Sequence, residues 1–304
     1  MANESKELSP KQLAITEFNA KVNGNYVQKQ LQQALGKNAG AFTTSLVELY
    51  TSDSKLQSCN PSKVTMEAIR AAALNLPLNR QLGYAYITVF NNWNKETRRS
   101  EPTPTFIIGA KGYVQLAMRT GQYRVLNADV VLDGMLQHHD RLSGTIDLSG
   151  EPLSDRIIGY FAHFELINGF RKTLYMTLEE MANYALKYSP TFKRNQEKNP
   201  NPTVDQLCDK AQDQYSNGSS GQMGWEGCFN DMALKTVIRR LLSKYGILSI
   251  EMQQAIINET KVEDADAIEI RNEVNAEPKP KFDAAQYIEP EEQPAEEDQN
   301  PFNQ

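Results

Sequence analysis

Residues 225–245, WEGCFNDMALKTVIRRLLSKY, decide how the rest of the chain is read. At ~100° per residue, Ala233, Leu234, Val237, Ile238, Leu241, Leu242 and Tyr245 form one wide apolar stripe, which predicts a helix packed on a core. The other side carries Lys235, Arg239, Arg240 and Lys244, with Thr236 and Ser243 between them and no carboxylate. A solvated helix ordinarily mixes Glu with Lys to gain i,i+4 pairs. Four cations without acidic neighbours on a packed helix therefore point to an anionic partner, the alternative being a helix that is basic by chance.

Working outward from this helix, a second one has a comparable face. In GAKGYVQLAMRTGQY, Gly109 closes a strand and Gly121 ends the helix that follows. Lys111, Gln115 and Arg119 are spaced i, i+4, i+8 and so lie within ~80° of one another, while Val114, Ala117 and Met118 point toward the expected core. Before it, GYAYITVF and TFIIG read as strands, joined by a long polar loop over 91–104 that carries Trp93, Lys95, Arg98 and Arg99. A connection so far beyond the usual two to five residues is expected to be functional.

The N-terminal third has apolar residues three or four apart in three segments, broken at Asn23-Gly24-Asn25 and Gly36–Gly40, which predicts three helices. Asn60-Pro61 opens a fourth, with Asn60 as cap and Pro61 at the first helical position. RVLNADVVL, RIIGYFAHFEL and RKTLYMT read as antiparallel strands, the last two turned by Asn168-Gly169. Thr177 and Glu180 form a capping box for the helix through Tyr188. Beyond Ser189-Pro190, from Thr191 to Gly224, the sequence is polar and rich in Asn, Gln, Gly and Ser, so much of it is expected to be a mobile loop. Its start interleaves Lys187, Lys193, Arg194 and Lys198 with Tyr188 and Phe192, a combination suited to phosphates and bases. Residues 248–259, LSIEMQQAIINE, supply one more short helix.

The net charge of −6 hides a division. Residues 263–304 hold 13 Asp and Glu against 3 Lys and Arg, a net of −10, which leaves +4 for residues 1–262. The tail is expected to be disordered and the body mildly basic. Three cysteines far apart, with no CxxC pair, argue against a disulfide framework or a zinc knuckle and fit a reducing cytosol. No signal-peptide pattern and no bilayer-length apolar run is present, so a soluble intracellular protein is expected. No P-loop occurs: Gly36-Lys37 is followed by Asn38 and lacks the upstream Gly. GxSxG, HExxH and EF-hand patterns are absent too, and His138-His139, on opposite faces of a strand, make a poor metal centre. No bond-making or bond-breaking chemistry is expected.

Three ordered blocks, LGYAYITVF (82–90), FIIGAKGYVQLAMRTGQY (106–123) and WEGCFNDMALKTVIRRL (225–241), resemble the RecT branch of the RecT/Redβ single-strand annealing proteins of phages and prophages. The resemblance covers the central two-thirds of the chain, and KTVIRRL is its most diagnostic piece. It implies an ATP-independent recombinase of a bacterial host's cytoplasm that binds single-stranded DNA, oligomerises into rings or helical filaments and anneals complementary strands. It also implies an α+β fold, a small antiparallel sheet flanked by helices, in agreement with the pattern above. The expected organisation is a helical oligomerisation region at 1–60, an α+β DNA-binding core at 61–260 and a disordered acidic tail at 261–304.

The basic positions matching the family blocks are Lys111, Arg119, Lys235, Arg239 and Arg240. Gln115, Lys244, Trp93, Arg98, Arg99, Lys187, Lys193, Arg194 and Lys198 are added from charge and position alone. No cofactor is expected beyond a non-catalytic Mg2+ ion. The partners implied are single-stranded and annealed DNA, further copies of the chain, a phage 5′→3′ exonuclease and the host single-strand binding protein, with no membrane. The basic faces of the two helices would form a groove along one strand's phosphates, leaving base edges open for pairing. The competing readings are a single-strand binder that does not anneal and a nuclease accessory subunit.

Overall fold

A reciprocal capping box between Ser9 and Gln12, with Pro10 at the first position, starts α1 (Pro10–Val22). The computed structural model describes residues 9–94, 97–140, 142–189, 192, 201–219 and 224–260, so the acidic tail and the first eight residues lie outside it. α2 (Asn25–Leu35) and α3 (Ala39–Ser52) follow, joined by a single 3-10 turn. The sequence suggests one helix from Phe42 to Cys59, but the backbone turns extended at Asp53. There the Asp53 carboxylate accepts the Lys55 N–H and begins a separate short helix, α4 (Ser54–Gln57). α5 (Pro61–Ala73) has the expected Asn60 cap, with the side-chain oxygen accepting from Ser62 N–H at 2.9 Å.

These helices share one core with the rest of the chain. Phe18 stacks on Tyr50 with ring centroids 3.8 Å apart, α1 and α2 pack on α5, and a single buried cluster continues from Phe18 to Ile256.

β1 (Ala85–Asn94) and β2 (Arg99–Ile108) form a two-stranded antiparallel ribbon paired from Ala85↔Ile108 to Asn94↔Arg99. The long polar loop expected over 91–104 is therefore mostly paired strand. Pro102 and Pro104 made it look like loop, yet proline is tolerated where one strand edge is free. Farther along that edge the Phe106 N–H donates to Glu67 of α5 at 3.0 Å, tying the ribbon to the helix.

α6 (Ala110–Arg119) leads into β3 (Tyr123–Leu132). β3 pairs with β6 (Ile157–Leu166) and β6 with β7 (Arg171–Thr177), an antiparallel sheet of order β3-β6-β7. Between β3 and β6 a small hairpin, β4 (His138–Asp140) and β5 (Thr145–Asp147), lies against β7. α7 (Leu178–Tyr188) starts at the expected Thr177–Glu180 box.

The stretch expected to be a mobile loop contains a regular helix, α8 (Val204–Asn217). Thr203 and Gln206 form its capping box, and Leu207 and Ala211 bury its inner face. α9 (Phe229–Tyr245) is the decisive segment and α10 (Ile250–Thr260) closes the described chain. The fold is α+β, with small antiparallel sheets flanked by helices, and α9 is its centre. α9 packs across β3, β6 and β7, with α6 and α8 also against it. The chain's inner sheet residues Tyr160, Ala162 and Phe164 are fully buried.

Candidate nucleic-acid interface

Of the apolar stripe expected on α9, Ala233, Val237, Ile238, Leu241 and Leu242 are buried, whereas Leu234 is half-buried and Tyr245, at the end of the helix, is 39% exposed. The opposite side is not an open basic face. Thr236 and Arg239 are buried as well, Arg239 being only 4% exposed, while Lys235 and Arg240 are half-buried. The reason is the number of neighbours. With the sheet, α6 and α8 all packed on it, a helix cannot keep one whole side for solvent. Lys244, in the last turn, is exposed.

The four cations are thus divided among different environments. Arg240 sits over the Tyr184 ring of α7, 5.7 Å from its centroid, with Nη1 3.5 Å from Met176 Sδ on β7. Its side chain is held by packing and cation–π attraction. Arg239 lies ~100° round the helix from Arg240 and is enclosed.

α6 divides in the same manner. Lys111 is exposed and makes no ion pair among the described residues. Gln115 is half-buried, and its Oε1 finds no hydrogen-bond partner among the described residues. Arg119 donates to the carbonyls of Leu74 and Asn75 at 2.7 and 2.9 Å, at the C-terminal end of α5. Met118, expected to face the core, is 46% exposed.

Contacts at both ends show that α6 and α9 run in the same direction. At their N-terminal ends, burial pushes the Tyr86 phenol above its ordinary range, and the nearby Asp231 and Cys228 of the α9 entrance add to the shift. A Cβ placed on Gly83 would stand 3.4 Å from that phenol oxygen and 3.6 Å from Lys111 Cδ. At the C-terminal ends, Tyr123 just beyond α6 donates its hydroxyl to the Ile247 carbonyl just beyond α9, at 3.0 Å. Lys111 and Lys235 therefore come from the leading halves of two parallel helices.

The glycines of IIGAKG bring the start of α6 against the segment that precedes β1. A Cβ on Gly109 would lie 2.1 Å from the Gly83 carbonyl oxygen, and one on Gly112 equally close to that of Tyr84.

Arg98 and Arg99 are exposed at the end of the β1–β2 ribbon, and Trp93 pairs with Ser100 there, though its side chain is outside the described residues. Lys187 is exposed, with its amine 4.9 Å from the Tyr188 ring centroid. Lys193, Arg194 and Lys198 lie outside the described residues. Tyr188 and Phe192, expected to offer ring faces to bases, are buried at 8% and 2% exposure. One cation escaped the sequence reading: Lys172 of β7, whose amine lies 5.2 Å from the centroid of Tyr245. A single Lys in a strand carries no pattern, and only the fold brings it to the end of α9.

The α+β body thus exposes cations on the β-ribbon, on α6 and at the end of α9. No helix among the described residues is long and apolar enough to cross a membrane. The RecT family model matches residues 40–276, and the chain belongs to the RecT family. It is 37% identical over 251 residues to the "Uncharacterized protein YqaK" of Bacillus subtilis (strain 168), covering 82% of this chain and 74% of that protein. It is 25% identical over 251 residues to "Protein RecT" of Escherichia coli (strain K12), covering 79% of each. Membership places the chain in DNA recombination or annealing, with DNA binding and self-association as the associated properties.

Proposed function

We propose that the protein is an ATP-independent single-strand annealing protein. It coats single-stranded DNA as an oligomer and pairs the bound strand with its complement, without bond chemistry of its own. The observation that carries this reading is the RecT family match over residues 40–276, which spans the β1–β2 ribbon, α6 and α9. The cations exposed on those elements support it, because phosphate contacts hold a strand without reading its sequence. Pairing then supplies the specificity. Of the two helices, Lys111 and Lys235 are the positions assigned to phosphate contact, with Arg98 and Arg99 on the ribbon. Mg2+, if used, assists assembly rather than chemistry. A 5′→3′ exonuclease that exposes the strand and the host single-strand binding protein that occupies it are the partners this role requires.

The test is annealing of two complementary fluorescent oligonucleotides, added one after the other to the purified protein without nucleotide. Rapid pairing with both strands intact is expected. Binding without acceleration of pairing would reduce the protein to a strand coat, and strand degradation would make it part of a nuclease.

A further inference from the structure

At the C-terminal end of α9 the fold assembles rings and a cation from three separate parts of the chain. Phe170, in the turn between β6 and β7, is 46% exposed, and Tyr245, the last residue of α9, is 39% exposed. Lys172 lies between these segments, two residues beyond Phe170 and with its amine over the Tyr245 ring at 5.2 Å. Phe170 is anchored by its contact with the buried Phe164, at 5.8 Å between centroids, and Phe164 in turn packs edge-on against Tyr123 at 5.5 Å. Tyr123 fixes the far side through its hydrogen bond to Ile247, which is itself 41% exposed. The tip of the β4–β5 hairpin reaches the same place: a Cβ on Gly144 would stand 2.4 Å from the Lys172 amine.

We propose that Phe170, Lys172 and Tyr245 form a stacking subsite for single-stranded nucleic acid, with Lys172 taking a backbone phosphate and the two rings taking bases. This rests on the reading of the protein as a single-strand binder and adds to it a place where bases, not only phosphates, are held. Cations near a helix C-terminus also offset its dipole, which accounts for Lys244. That effect does not account for two large rings left in water beside Lys172. Exposed rings next to a cation that makes no ion pair among the described residues are the chemistry of sequence-tolerant single-strand sites. Every base has a stacking face, so such a subsite holds a strand without selecting its sequence. A subsite of this kind leaves Watson–Crick edges free.

The experiment measures affinity of the full-length protein for a fluorescent single-stranded oligonucleotide over a range of salt. The proteins compared are wild type, Phe170→Ala, Tyr245→Ala, Tyr245→Phe and Lys172→Gln, with sedimentation and thermal melting of each. Each alanine variant is expected to bind about 5- to 100-fold more weakly with an unchanged salt slope. Tyr245→Phe should bind like wild type. Lys172→Gln should lower the magnitude of the salt slope by about 0.7. If wild type itself fails to bind at low salt, the single-strand reading falls and the subsite with it. If wild type binds and all the variants match it in affinity and slope, the subsite alone is overturned. Altered sedimentation with unchanged DNA affinity would assign the patch to contacts between copies and likewise overturn it.

Discussion

The guanidinium of Arg119 donates to the carbonyl oxygen of Leu74 at 2.7 Å, and its other arm reaches the next carbonyl, that of Asn75. The last carbonyls of a helix have no partner within the helix, and here an arginine from α6 satisfies that of Leu74, the residue that caps the end of α5. Arg119→Ala should destabilise the fold by about 1.5–3 kcal/mol, the range for a hydrogen bond with a charged donor. The urea midpoint checks this. The slope of DNA affinity with salt should stay near the wild-type value. A normal midpoint with a reduced slope would mean that Arg119 contacts phosphate after all.

Lys111 and Arg239 carry the same charge in opposite surroundings, one exposed and the other 4% exposed. Lys111→Ala should weaken single-strand binding to a similar degree across sequences and lower the salt slope by about 0.7, with little effect on stability. Arg239→Ala removes a long side chain from the interior and should cost about 2–5 kcal/mol, as other large-to-small changes in cores do. Its measured effect on DNA binding should follow the loss of folded protein. Equal stability and equal salt slopes in the two variants would contradict this division.

Gly112, like Gly109, permits a close approach of α6 to the turn that precedes β1. A Cβ there would meet the Tyr84 carbonyl oxygen at 2.1 Å and Ile108 Cγ2 at 2.8 Å. A backbone carbonyl cannot swing aside as a side chain does. Gly112→Ala is therefore expected to destabilise by about 1–3 kcal/mol through overpacking, read from the denaturation midpoint. DNA binding should also weaken, because Lys111 rides on the displaced turn. An unchanged midpoint would show that the approach is looser than described.

Three caps and turns form as the local signals in the sequence predict. The Asn60-Pro61 entry, the Thr177–Glu180 box and the Asn168-Gly169 turn are all formed. The signal for α8 was equally legible, since Thr203-Val-Asp-Gln206 is the same kind of box and Leu207 and Ala211 lie four apart. Its Asn- and Gln-rich surroundings suggested loop instead. What the sequence could not reveal was the number of neighbours an element would acquire. A helical wheel separates Arg239 from the apolar stripe, but it cannot show that α6 and α8 will join the sheet against α9. It places Lys111 and Arg119 on one face, yet nothing in α6 indicates that the end of α5 will lie under Arg119. Lys172 and Tyr245 are far apart in sequence, and their contact depends on the packing of β7 against α9.

Asp53 links the N-terminal helices to the segment leading into the ribbon, capping α4 through Lys55 N–H and pairing with Arg80. Burial works to raise its carboxyl pKa, but the hydrogen bonds from Arg80 and Lys55 outweigh it and hold the group below the ordinary carboxylate range. A carboxyl depressed in the folded state contributes stability above its unfolded pKa of about 3.9 and loses that contribution as pH falls through the folded value. Asp53→Asn keeps a capping oxygen, since Asn caps as well as Asp, but removes the charge. The Arg80 side chain is 43% exposed, so solvent screening limits the effect to about 1 kcal/mol or less. Wild type should therefore exceed Asp53→Asn in stability at neutral pH, with the gap closing below about pH 4 as the carboxyl is protonated. Urea midpoints of the two proteins measured side by side from pH 7 to pH 3 isolate this one group, because all other titrations largely cancel in the difference. A gap that stays constant across that range would remove the Asp53 charge from the account.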